Sequence, residues 1–223
     1  VYKRQDYEFL FLTLTVPNVA GDELVKELNK QYEAIQRLTK RKEFKAVSRG
    51  YVRKTEVTYN QERNDFHPHI HMLIAVDKKY FTSRFLYVKH SRWLELWKSC
   101  RQNDNISQVN IKKADTNSFK ELSKYEAKDF EMLSYSQEVF EYFHNALHGR
   151  KTLTYNGCFH IGKKKFQNGE LDSFKETDPV EYVDTSFHSY ELDISRYKLV
   201  KERELSKNEH LKFNNMKIME KNL

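Results

Sequence analysis

The segment DFHPHIHMLIAV, residues 65–76, sets three histidines at every second position and then runs straight into hydrophobic chain. In an extended strand, alternate side chains share a face and stand about 7 Å apart. The spacing therefore predicts a strand with two unlike faces. Ile70 and Met72 point into a core, while His69 and His71 stand together on the other side. Two imidazoles at that separation can converge on one cation. His67 has the same parity, but Pro68 intervenes and has no N–H for a ladder, so His67 is expected at the strand entrance.

A cation that polarises a phosphate usually takes a carboxylate beside its imidazoles. GYVRKTEVTYN (50–60) reads as the preceding strand and NQERND as the turn between them. If Asn60 lies opposite His67, antiparallel pairing places Glu56 opposite His71 on the histidine face. A slip of one residue would turn Glu56 away. The candidate metal ligands are His69, His71 and Glu56.

The remaining pattern is mixed. YEFLFLTLTVPN (7–18) is a buried strand that ends at Pro17, and its Thr13 and Thr15 would border the site. GDELVKELNKQYEAIQRLTKRKEF (21–44) has Leu24, Leu28, Ile35 and Leu38 at helical spacing. Residues 91–102 predict a helix, 106–114 a strand, 118–133 and 136–149 helices, and 151–159 a last strand. The order β-α-β-β-α-β-α-α-β favours an α+β fold, a central antiparallel sheet of about five strands with helices packed on it. The division expected is a domain over 1–160 and an extension over 161–223, loop-like at first and then a charged helix through SRYKLVKERELSKNEHLKF.

ELSKYEAK (121–128) is the second unusual stretch. Glu121 and Tyr125 are four apart, so on a helix carboxylate and phenol lie side by side, flanked by Lys124 and Lys128. A phenol attacks poorly near neutral pH without a base, cation or metal to assist it, whereas a carboxylate can orient water. The HNALH pair, His144 and His148, lacks the Glu of a zinc-protease helix and reads as helix surface or core. Cys100 and Cys158 form no C-x-x-C pair and read as reduced thiols. The charged VYKRQDYEF gives no secretory signal, and no apolar run reaches the roughly 20 residues needed to cross a bilayer, so a cytoplasmic protein without a membrane partner is expected. A net charge of +7 suits a polyanionic partner without requiring one.

FLTLTVPN, then HPHIHML, then ELSKYEAK, in that order, closely resemble the HUH endonucleases, and within them the single-tyrosine rolling-circle replication initiators of small bacterial plasmids. The likeness spans about residues 9–160. It implies a ferredoxin- or RRM-like α+β domain in which His69 and His71, with Glu56, bind Mg²⁺ or Mn²⁺. It further implies that Tyr125 attacks the scissile phosphate of plasmid origin DNA, single-stranded or extruded as a hairpin, and becomes linked to the 5′ end. Glu121 would activate water at termination, and a host helicase and polymerase would work from the released 3′-OH. Lys124, Lys128, Thr13, Thr15, Lys112 and Lys113 are the candidate DNA contacts, with the lysine runs of KRKEFK (40–45) and GKKKF (162–166) beside them. No G-x-x-x-x-G-K-[ST] loop is present, and transfer onto tyrosine needs no nucleotide cofactor. A single-tyrosine transposase, a relaxase or a non-catalytic DNA-binding module would share these motifs.

Overall fold

The computed structural model describes residues 7–123, 135–171, 184–191, 196–207 and 209. They belong to two compact units, Val1–Glu170 and Leu171–Leu223. In the first, β1 (Tyr7–Thr15) leads through a single 3-10 turn to α1 (Leu24–Lys40) and α2 (Lys42–Val47). A long hairpin follows, β2 (Ser48–Asn60) and β3 (Asp65–Asp77), then α3 (His90–Arg101) and β4 (Val109–Lys113). The unit closes with α4 (Thr116–Ser123), α5 (Gln137–Leu147), β5 (Leu153–Gly157) and α6 (Cys158–Gln167). The five strands make one sheet in the order β4-β1-β3-β2-β5, with every neighbour antiparallel. The α+β architecture expected from the sequence is the one observed.

β3 lies at the centre because its LIAV run is hydrophobic on both faces, which an edge strand could not bury. One face is covered by α1, α2 and α3. There Leu12, Leu14, Ile70, Met72 and Ile74 meet Ile35, Leu38, Trp93 and Trp97. The periodic residues of α1 are its buried ones, and a buried ion pair, Arg101 to Glu27 at 2.5 Å, fastens α3 to it. The opposite face carries a smaller cluster of Phe9, Phe11, Val52, Leu73 and Ala75, capped by Phe119 and Leu122 of α4 and Phe159 of α6. Beyond that cluster the face turns polar.

The hairpin is tighter than its sequence suggested. Asn60 pairs with Asp65, not with His67, and Glu56 therefore faces His69 rather than His71. The turn closes over four residues, with Asn64 in the left-handed region and the Asn60 side chain accepting the Arg63 N–H at 2.9 Å. The register moved by two residues, so parity survived and Glu56 stays on the histidine face. β3 runs through Pro68 without a break, and His67 lies two residues into it, paired with Thr58. Pairing with β1 ends at Thr15–His69, and the Pro68 carbonyl just beyond it is taken by Gln31 Nε2 of α1 at 2.9 Å.

Two further expectations are corrected. GKKKF is helix, part of α6, because Cys158 and Phe159 at its start pack onto the Phe9 cluster and anchor the turns that follow. The helix starts where β5 crosses close to β2. A Cβ on Gly157, at φ 56, would come within 2.4 Å of the Arg49 carbonyl oxygen. The second unit holds a hairpin, β6 (Asp184–Glu191) with β7 (Arg196–Glu204), where a charged helix was expected over RYKLVKERE. Tyr197 and Leu199 alternate with Arg196, Lys198 and Val200, a two-residue period that outweighs the helix-favouring charges.

Candidate metal centre

The sheet register assembles the site row by row. Across one row stand Asn110 of β4, Thr13 of β1, His71 of β3, Lys54 of β2 and Leu153 of β5. The next row carries Thr15, His69 and Glu56. These residues all share the face that α1 to α3 leave uncovered. An open cleft of about 390 Å³ lies over them, floored by Thr13, Thr15, His67, His69 and His71, with Gln108 and Asn110 along one side and Glu121 reaching in from α4.

Glu56, His69 and His71 each offer a ligand atom within 4.8 Å of the others. Glu56 Oε2 lies 3.7 Å from His69 Nε2 and 3.4 Å from His71 Nε2. Donors bound to one ion at about 2.1 Å stand roughly 3.0–3.5 Å apart, so these separations suit a shared cation within a few tenths of an ångström. The remaining ring nitrogens are engaged away from the cleft. His69 Nδ1 lies 3.2 Å from the His67 carbonyl oxygen, and His71 Nδ1 lies 3.1 Å from Thr13 Oγ1. With the Nδ1 sides held, both Nε2 atoms are left to the cation, the arrangement that orients histidine ligands. His71 is buried and stacks on Phe11, with ring centres 5.3 Å apart.

The His69 and His71 imidazoles hold the Glu56 carboxyl beside them well below the usual carboxylate range, against the opposing effect of burial. Burial pushes the His67 imidazole down, and His69 beside it adds to the shift. His67 lines the cleft outside the triad.

Glu121 arrives from a different element. Asp115 begins α4, its carboxylate accepting the Ser118 N–H at 2.8 Å and the Ser118 hydroxyl at 2.7 Å. Phe119 then packs edge-on against Phe9 with centroids 5.8 Å apart. Two residues later Glu121 Oε1 stands 3.5 Å from His71 Nε2, as near as Glu56 does. Tyr125, Lys124 and Lys128 lie outside the described residues.

The other DNA-contact candidates separate. Thr13 lies behind His71, and Thr15 Oγ1 bonds the Gln108 carbonyl at 3.2 Å. Lys112 shares the row of Phe11 on the cleft face, 3.6 Å from Asp115. Lys113 is turned to the other face, 3.0 Å from Glu8. Lys54 was missed by the sequence reading. It is 2% exposed, faces His71 across the hairpin and helps keep Glu56 ionised. Its signal was parity, since Lys54 and Glu56 are two residues apart on one strand. Gln108 and Asn110 gave no comparable signal, because an uncharged amide on a strand carries neither a charge nor a usual metal-ligand group to mark it.

The comparisons with known proteins agree with this arrangement. A family model described as "Replication protein" matches residues 1–204. A "Protein rep" of Staphylococcus aureus is 43% identical over 136 residues, covering 60% of this chain and 59% of that protein. A "Protein rep" of Streptococcus pneumoniae is 33% identical over 175 residues, covering 73% and 55%. A "Replication protein" of Staphylococcus aureus is 29% identical over 192 residues, covering 80% of each. The chain thus spans a little over half the length of the first two of these relatives. No solved structure matches the chain. With its motifs, its sheet and the match over residues 1–204 in agreement, the chain belongs to the replication protein family.

Proposed function

We propose that this chain initiates plasmid rolling-circle replication by nicking and joining one strand of origin DNA through a covalent phosphotyrosine. One observation carries the reading. Glu121, from the segment ELSKYEAK, meets the Glu56, His69 and His71 triad in a single open cleft. That convergence sets the carboxylate that would activate water beside the residues that would hold the metal, and a surface histidine cluster has no need of it.

Glu56, His69 and His71 would hold Mg²⁺ or Mn²⁺, which when bound supplies a Lewis acid for the scissile phosphate. Tyr125 forms the new bond from its phenol oxygen to phosphorus while the bond to the 3′ oxygen breaks. The phenol proton leaves with the released 3′-OH, from which a host polymerase and helicase extend. At termination Glu121 takes a proton from water, whose oxygen bonds to phosphorus as the bond to the Tyr125 oxygen breaks, and the phenol regains a proton. His71 and His69 stay in fixed orientation throughout because Thr13 and the His67 carbonyl hold their far nitrogens. Lys112 stands on the cleft face for flanking phosphates, and Lys124 and Lys128 flank the nucleophile in sequence.

The test is incubation with a labelled origin oligonucleotide and Mn²⁺, followed by denaturing electrophoresis. Wild-type protein should give a covalent adduct and Tyr125→Phe none; an adduct with Tyr125→Phe overturns the nucleophile. Glu121→Ala should still nick but accumulate adduct. The 3.5 Å approach to His71 supports a second reading in which Glu121 is itself a ligand. In that case Mn²⁺ affinity and nicking fall together in Glu121→Ala. Salt-sensitive DNA binding that ignores metal, with no cleavage, would mark a non-catalytic module instead, and the substrate cut separates an initiator from a transposase or relaxase.

A further inference from the structure

The connection from β3 to α3 holds four cations, Lys78, Lys79, Arg84 and Lys89, with Arg92 in the first turn of α3, and no carboxylate before Glu95. For a chain with net charge +7, that is a concentrated share of the excess. Arg92 is neutralised by Glu43 and Glu95, while Lys79, Arg84 and Lys89 are exposed. At the tip of this basic turn Phe85 is 100% exposed and Tyr87 50%.

The exposed ring is presented by a built turn. Ser83 Oγ accepts the N–H groups of Phe85 and Leu86, each at 3.3 Å. The hydroxyl of buried Tyr80 bonds the Val88 carbonyl and N–H, both at 3.3 Å. Leu86 and Val88 pack back onto the main core. The anchored residues on either side leave Phe85 facing solvent.

Exposed aromatic faces among cations are how proteins hold single-stranded nucleic acid, with bases stacked on the rings and phosphates held by Lys and Arg. One and a half exposed rings are too little apolar surface for a stable protein interface, which needs about 800 Å² on each partner. We infer that the Ser83–Lys89 turn is a second contact for single-stranded DNA, with bases stacking on Phe85 and Tyr87 and phosphates held by Lys79, Arg84 and Lys89. From His71 to Asp77 the strand rises about 20 Å, so this contact lies at the far end of β3 from the cleft. It rests on the nicking reading for the identity of the strand, but the binding itself needs neither metal nor Tyr125.

Both native tryptophans, Trp93 and Trp97, are fully buried, so Phe85→Trp gives the protein its only exposed indole. In EDTA, oligo(dT) longer than a single site of roughly 4–16 nucleotides should quench that fluorescence saturably. Phe85→Ala should weaken oligo(dT) binding, read by anisotropy, about tenfold, with Phe85→Trp near wild type. Duplex DNA of equal length should be insensitive to Phe85→Ala. No quench, an unchanged affinity in Phe85→Ala, or an equal loss on duplex would each overturn the assignment. Tyr125→Phe should leave the quench intact, so failure of the nicking reading is visible separately.

Discussion

The two faces of β3 share one backbone and differ in everything else. Ile70, Met72, Ile74 and Val76 point at three helices and are completely buried. His67, His69 and His71 point the other way, into a cleft that the smaller apolar cluster of that face leaves open. A histidine moved to the helix face would be a buried polar group without a partner, at a cost of several kcal/mol. A leucine at His69 or His71 would take a ligand atom from the cleft. The difference shows how a sheet divides labour: one face is given wholly to packing, and the other packs at one end and offers chemistry at the other.

The sharpest way to break this division is His71→Ala. It should lower Mn²⁺-dependent adduct formation about 1,000-fold or more, because the phosphate loses its Lewis acid, while circular dichroism still shows a folded protein. A near-wild-type single-turnover rate would show that the triad is not the metal site. The mirror experiment is Met72→Ala, one residue away and facing the helices. It should cost about 2–5 kcal/mol in urea unfolding, yet leave Mn²⁺ affinity per folded molecule unchanged. If affinity falls in step with stability, the two faces are not separable. The smallest expected effect is Thr13→Val, which removes the hydroxyl behind His71 and should weaken Mn²⁺ binding about 10- to 100-fold by EPR titration. No change would release Thr13 for the DNA contact its sequence position suggested.

Much of the site was legible because strand parity is local. The alternation of His69, Ile70, His71 and Met72 needs only an extended backbone, and the structure keeps it. Glu56 was found through a register that proved two residues out, and the finding survived because an even shift preserves the face. Lys54 was equally legible by parity and was missed for want of a reason to place a cation beside the ligands. The second unit was misread because charge was weighed above spacing in RYKLVKERE.

By itself the sequence determined which side chains share a face, since that follows from the geometry of consecutive residues. Only the tertiary structure decided which of them meet. The four-residue turn after Asn60 set Glu56 against His69. The packing of Phe119 on Phe9 brought Glu121, from a helix fifty residues further on, to within 3.5 Å of His71. Such meetings depend on how a loop closes and how two surfaces fit, and neither quantity is written in any single stretch of chain.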